Sequence, residues 1–223
     1  MSLILNIDTA TERAEVTIAR DGQLIKGSFN ESQKDHAAFV QVAVRQLMND
    51  TSTGLHELDA VAVTAGPGSY TGIRVGMSSA KGLCYALNKP LITLNTLEVL
   101  TVAAMQQTGE KSALLFCPMI DARRMEVFTA IYDNNMTNTF APAAMVLQPG
   151  SFTDALERNK ILFFGSGAAK WKTICHHSNA SFTDVSNSDT AISDLSNRYY
   201  MRNQFADLAY SEPFYLKEFQ DKV

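Results

Sequence analysis

Ala60-Val61-Ala62-Val63-Thr64-Ala65-Gly66-Pro67-Gly68-Ser69-Tyr70-Thr71-Gly72-Ile73-Arg74-Val75-Gly76 is the stretch whose reading decides the fold. Its first six residues make an apolar run of strand length, as in a strand covered on both faces. Gly66, Pro67 and Gly68 punctuate the run, and Ser69 or Thr71 can cap a helix that begins there. Strand, glycine turn, helix is therefore the predicted order, and backbone N–H groups at such a helix start suit an anion. The loop lacks the Lys-Ser/Thr ending of a P-loop, and its glycine spacing departs from the dinucleotide fingerprint, so alone it specifies no nucleotide. Beyond it Gly72, Gly76, Ser79, Ala80 and Leu83 recur three and four residues apart, leaving one helical face nearly bare. A bare face admits another helix closely, inside the domain or across a subunit boundary.

Upstream, Leu3 to Ile7 reads as a central strand ending on Asp8-Thr9-Ala10-Thr11, a polar turn. Arg13 to Arg20 alternates, and Asp21-Gly22 turns it into Gln23 to Phe29, so three antiparallel strands are expected first. Asp35-His36 opens a helix to about Asp50 with apolar residues on two faces. Ala37, Val40, Val44 and Leu47 lie on one, and Phe39, Val42, Ala43 and Met48 on the other. The surface helix of a monomer needs one apolar stripe, so the second implies either a protein partner or complete burial.

Downstream, Leu91 to Leu94 reads as a strand and Thr96 to Gln107 as a helix, which completes an alternating α/β pattern. The chain turns polar at Gly109-Glu110-Lys111, and a boundary placed there predicts domains 1–108 and 109–223. The opening pattern then repeats. Ile7-Asp8 followed by the strand from Glu15 is echoed by Ile120-Asp121 followed by the strand from Glu126, as an internal duplication would produce, although alternating strands also resemble one another by chance. Asn138 to Gly150 reads as an irregular connection or edge strand. Ser151 to Arg158, Ala168 to His176 and Asp189 to Gln204 read as helices, and Ile161 to Phe164 as a buried strand before a second Gly165-Ser166-Gly167.

Composition limits the function classes. The chain has 223 residues, 46% hydrophobic and 19% charged, with formal net charge −4 and pI near 5.6. A net negative chain has no overall excess with which to hold a polyanion by itself. No apolar run spans a bilayer and the first residues lack the pattern of a signal peptide, so a cytoplasmic location is expected. Cys84, Cys117 and Cys175 are odd in number and far apart, which suits buried thiols better than a disulfide framework or a zinc site.

The stretch from Gly66 to Gly76, with Ile7-Asp8-Thr9-Ala10 and the closing Glu212-Pro213-Phe214-Tyr215-Leu216-Lys217, resembles the bacterial TsaB (YeaZ) family over essentially the whole chain. The resemblance implies the duplicated, two-lobed actin-like ATPase fold, of the ribonuclease H-like kind, shared with sugar kinases and with the catalytic paralogue TsaD. It also implies a non-catalytic role in making threonylcarbamoyladenosine beside the tRNA anticodon, with TsaD and the ATPase TsaE as partners, tRNA met only through the complex, and a homodimer when isolated. The helix pair would form the interface through His36, Phe39, Val40, Ala43, Leu47, Gly72, Gly76, Ser79, Ala80 and Leu83.

In that fold Asp8, Thr9, Gly66, Gly68, Ser69 and Asp121 stand where phosphates and their metal would be approached, a vestigial set consistent at most with weak ATP or ADP binding. Asp8 can equally cap its turn. The family's older glycoprotease label would need a His-x-x-x-His metal pair, but the residue four after His36 is Val40, so no metal ligand set is assigned. The rival readings are an ATP-dependent small-molecule kinase or ATPase using Asp8, Asp121 and the Gly66 loop, and a metallopeptidase.

Overall fold

The computed structural model describes residues 1–31, 36–109, 114–185 and 189–217. In chain order the elements are β1 (Leu3–Asp8), β2 (Ala14–Arg20), β3 (Gln23–Asn30), α1 (His36–Asp50), β4 (Ala60–Gly66), α2 (Tyr70–Leu87), β5 (Leu91–Asn95) and α3 (Thr96–Thr108). They continue with β6 (Leu114–Asp121), β7 (Glu126–Tyr132), β8 (Asn138–Val146), α4 (Thr153–Arg158), β9 (Lys160–Phe164), α5 (Ala168–Lys172), β10 (Ala180–Phe182) and α6 (Asp189–Met201).

Two five-stranded sheets share one topology. The first has the order β3-β2-β1-β4-β5 and the second β10-β9-β6-β7-β8. In each, the first three strands run antiparallel and the fourth and fifth add in parallel beside the first. The duplication expected from Ile7-Asp8 and Ile120-Asp121 is thus present in the strand order, which chance likeness of single strands would not produce.

Contacts divide the chain into one unit of Met1–Val99 with Asn187–Phe214 and another of Leu100–Ser186 with Tyr215–Val223. This contact division differs from the expected cut at 108/109. Helix α6 packs on β1, β2, β3 and β5 of the first sheet instead of joining the later part of the chain, and α3 straddles the division. The expected boundary residues Glu110 and Lys111, and Asp35 as the expected start of α1, lie outside the described residues.

In the first unit, strand alternation sends Leu3, Leu5, Ile7, Val61 and Val63 into a cluster with Val40, Ala43, Leu47, Met77 and Ala80 of α1 and α2. The intervening Ile4, Ala60 and Ala62 are equally buried on the opposite face. Each leucine, isoleucine, valine or methionine among them stabilises the fold by roughly 1.5–3 kcal/mol when fully buried. The second unit has its own core around Met119, Val127, Ile161, Phe163 and Trp171. Asn138–Val146 is the edge strand β8, one of the two alternatives for that segment. Helix α5 ends at Lys172, not at His176, and α6 ends at Met201, before the expected Gln204.

Candidate functional site

Ser69 caps α2 as expected, its Oγ accepting from the Gly72 N–H at 3.3 Å. One N–H group at this helix start is already taken, however. That of Ser69 donates to the Ala10 carbonyl at 2.7 Å, so the turn after β1 itself fills the helix start. Gly68 lies so close to that carbonyl that any Cβ would collide with it. From the other side, the Phe214 N–H donates to the Ala65 carbonyl at 2.7 Å, and the Phe214 carbonyl oxygen would stand 2.6 Å from a Cβ on Gly66. Gly66 has φ +114, a conformation that side chains resist. The closing Glu212–Lys217 segment therefore packs its Phe214 back on this unit.

Asp8 is 4% exposed, and its Oδ1 accepts from the Ala10 N–H at 2.9 Å and the Thr64 hydroxyl at 2.7 Å. Burial pushes its carboxyl above the ordinary range, against the lowering effect of these hydrogen bonds and of the His36 and Arg13 charges. Thr9 is fully buried, with its hydroxyl donating to the Gly72 carbonyl at 2.7 Å. The counterpart Asp121 in the second unit is exposed and holds Lys170 Nζ at 2.7 Å. Slight burial raises its carboxyl, but the Lys170 and Arg123 hydrogen bonds and the Lys170 charge outweigh that and hold it below the ordinary range. Asp8, Thr9, Gly66, Gly68 and Ser69 are thus assembled around one turn, while Asp121 belongs to the other unit's hairpin.

Most of the interface residues expected on α1 and α2 face inward. Gly72 abuts the Thr9 carbonyl, and Gly76 sits against Thr9, Val63 and Ile7, so the bare face of α2 lets the helix approach β1 and β4 of its own sheet. Ala80 is buried with them, as are His36, Val40, Ala43 and Leu47 of α1. Phe39, Ser79 and Leu83 are half-buried at the margin. The His36 ring nitrogen Nε2 lies 3.3 Å from the Glu12 carbonyl. Internal packing, one of the two alternatives for the small-residue face, is what the structure contains.

The two helices lie side by side, joined at the seam by a Gln41 to Ser79 hydrogen bond of 3.3 Å. Their outward faces carry Ala38, Val42 and Arg45 on α1, and Ser78, Gly82, Tyr85 and Ala86 on α2. Val42 is 63% exposed and Tyr85 83%, and nothing lies within 4 Å of a Cβ on Gly82. Ser78, Gly82 and Ala86 follow one another at i, i+4 spacing, so α2 carries a second small-residue stripe that faces out. Val42 already stands in sequence among the apolar surplus of α1. The outward stripe of α2 was masked by the stronger glycine signal at 72 and 76.

Among the described residues no group of three His, Cys, Asp or Glu side chains is placed to hold a metal, and no helix is long and apolar enough to cross a membrane.

Comparison with known proteins accords with these features. Residues 30–214 match the family model described as TsaD, tRNA N6-adenosine threonylcarbamoyltransferase. The chain is 30% identical over 165 residues to the tRNA threonylcarbamoyladenosine biosynthesis protein TsaB of Bacillus subtilis (strain 168), covering 73% of this chain and 70% of that one. Among solved structures, YeaZ from Pseudomonas aeruginosa superposes with a TM-score of 0.79 at 25% identity, over 97% of this chain and all of that one, the covered share being 100%. An inorganic polyphosphate/ATP-glucomannokinase from Arthrobacter sp. strain KM shares the fold at a TM-score of 0.54 and 11% identity, over 90% of this chain and 100% of the kinase. Two sheets of identical strand order, on the actin-like plan of the sugar kinases, and a sequence match running through both of them make this chain a member of the TsaB (YeaZ) family.

Proposed function

We propose that this chain is the non-catalytic partner of a TsaD-type enzyme in the cytoplasmic transfer of threonylcarbamoyl to adenosine beside the anticodon of tRNA. The observation that carries the reading is the outward face of α1 and α2, where Val42 and Tyr85 stand exposed on either side of a small-residue stripe with open space at Gly82. Apolar side chains beside a bare helical strip suit close packing of two further helices. The same face in a second copy of this chain would give a homodimer when the enzyme is absent. By family resemblance the ATPase TsaE completes the assembly.

The kinase or ATPase reading is disfavoured by the turn after β1. Asp8 is buried with its Oδ1 accepting two hydrogen bonds from within the protein, and the Ser69 N–H that would meet a phosphate is held by Ala10. A catalytic carboxylate of that fold must reach solvent, metal and phosphate. The metallopeptidase reading lacks a second histidine on α1, where Val40 is buried in the core.

The test mixes the protein with the TsaD-type enzyme of the same cell and follows association by light scattering, for wild type and Gly82→Arg. The substituted position opens to solvent, so the variant keeps its fold, and loss of a heterodimer that the wild type forms is the expected result. No association of the wild-type pair would contradict the reading.

A further inference from the structure

The hairpin joining β6 to β7, Asp121-Ala122-Arg123-Arg124-Met125-Glu126, is unused by the function proposed above. It is the duplicate of the turn after β1, but it is built differently. The first turn is closed over by the glycine loop, whereas in the second Asp121, Arg123, Arg124 and Met125 are all exposed. Arg123 and Arg124 both adopt left-handed backbone conformations, with φ of 70 and 47. Glycine or asparagine would take those positions with less strain. Two adjacent arginines there point to a use for the side chains that outweighs the backbone preference.

The charges around the hairpin are already matched. Asp121 Oδ1 accepts from Lys170 Nζ at 2.7 Å and from the Arg123 N–H at 2.6 Å. Glu126 Oε2 accepts from Lys217 Nζ at 2.8 Å. Each carboxylate that flanks the arginines thus has its own lysine. Among the described residues neither guanidinium forms a salt bridge, so two fixed positive charges stand exposed at the tip of an otherwise neutralised hairpin on a chain of net charge −4. Adjacent guanidinium groups, each a planar fork of donors, suit neighbouring phosphates of a polynucleotide backbone.

We propose that Arg123 and Arg124 form an RNA phosphate contact, through which this subunit touches the tRNA once the enzyme has bound it. The inference rests on the partner reading above. The negative net charge keeps the chain from holding RNA alone, so the hairpin adds to binding by the assembly and does not replace the enzyme's own contacts.

The experiment titrates a fluorescent unmodified tRNA transcript with the TsaD-type enzyme and this chain together, over a series of salt concentrations. It compares wild type, Arg123→Gln/Arg124→Gln, Arg123→Lys/Arg124→Lys and, as a control, Arg20→Gln. The double glutamine variant is expected to weaken binding about tenfold at low salt and to flatten the slope of log affinity against log salt by about two, one for each lost charge. The double lysine variant restores most of the affinity, and Arg20→Gln changes neither quantity. Unchanged affinity and slope in the glutamine variant would overturn the inference, as would failure of lysine to rescue, which would mark a structural role. Loss of ATP binding with tRNA affinity intact would also overturn it, assigning the arginines to a nucleotide. Size-exclusion of the same mixtures shows separately whether the heterodimer forms, so failure of the partner reading is distinguishable from failure of the RNA contact.

Discussion

Gly76 has no room for a side chain because Thr9 stands against it, and the Thr9 hydroxyl donates at 2.7 Å to the carbonyl of Gly72 one turn earlier on the same helix. The contact seats α2 directly on the end of β1. It also explains why the most conspicuous small residues of the chain belong to the interior. Gly76→Ala forces the helix off the strand and is expected to destabilise the protein by about 2 kcal/mol, in the range of core overpacking. Gly82→Ala, with nothing near it, is expected to stabilise by about 0.5–1 kcal/mol, the usual difference between glycine and alanine in a helix. Urea unfolding of the two variants checks both signs.

Asp8 is buried and its carboxyl is raised above the ordinary value of 3.8, first of all by desolvation. The folded state therefore holds this proton more tightly than the unfolded chain. The contribution of Asp8 to stability is best below 3.8 and declines as pH rises through the folded value. Asp8→Asn keeps an oxygen for the Ala10 N–H and the Thr64 hydroxyl while removing the charge. It is expected to raise stability at neutral pH, with the advantage shrinking as pH falls into the acid range. Denaturant unfolding at pH 4 and pH 7 measures the difference, and an advantage that grew toward acid would contradict the assignment.

Tyr199 on α6 donates its hydroxyl to Glu98 Oε2 on α3 at 2.8 Å, and burial raises the Glu98 carboxyl. Tyr199→Phe leaves that carboxylate without its donor. A loss of about 1.5–3 kcal/mol is expected, the range for a hydrogen bond to a charged group. Reversible unfolding of the variant, compared with Tyr200→Phe as a control, provides the measurement.

Burial pushes the thiols of Cys84 and Cys117 up to about 11 and about 12. Both side chains are enclosed, whereas Cys175 is half-exposed. A thiol-specific reagent at pH 8 is therefore expected to modify one cysteine rapidly in the native protein and all three in denaturant, because the thiolate is the reacting form. Mass mapping of the modified peptide should identify Cys175.

The fold was legible where periodicity and turn chemistry agreed. The apolar run from Ala60, the Asp21-Gly22 turn and the echo of Ile7-Asp8 in Ile120-Asp121 marked the central strand, the opening antiparallel strands and the duplication, while the order of strands in each sheet came only with the structure. The return of α6 to the first sheet was not legible, because an amphipathic helix carries no mark of which sheet it will cover. The interface was half legible. A small-residue face signals close approach but not by what, and at Gly72 and Gly76 the neighbour is the helix's own sheet. Val42 was visible as a surplus apolar residue, but Gly82 and Tyr85 acquire meaning only once the inward face of α2 is known. The turn after β1 was misleading in the same way, since free N–H groups at a helix start are apparent in sequence and the Ala10 carbonyl that occupies one of them is not.

The most direct measurement of the central proposal is threonylcarbamoyladenosine formed on a tRNA transcript by the reconstituted TsaD-type enzyme, the ATPase subunit, an adenylate donor and this chain. Wild type is compared with Asp8→Asn and with Val42→Asp/Gly82→Arg. Product formation that is retained with Asp8→Asn and lost with the outward-face variant, while both variants remain folded, is the expected result. Loss with Asp8→Asn and full product with the altered helix face would contradict it and assign this chain a catalytic site of its own.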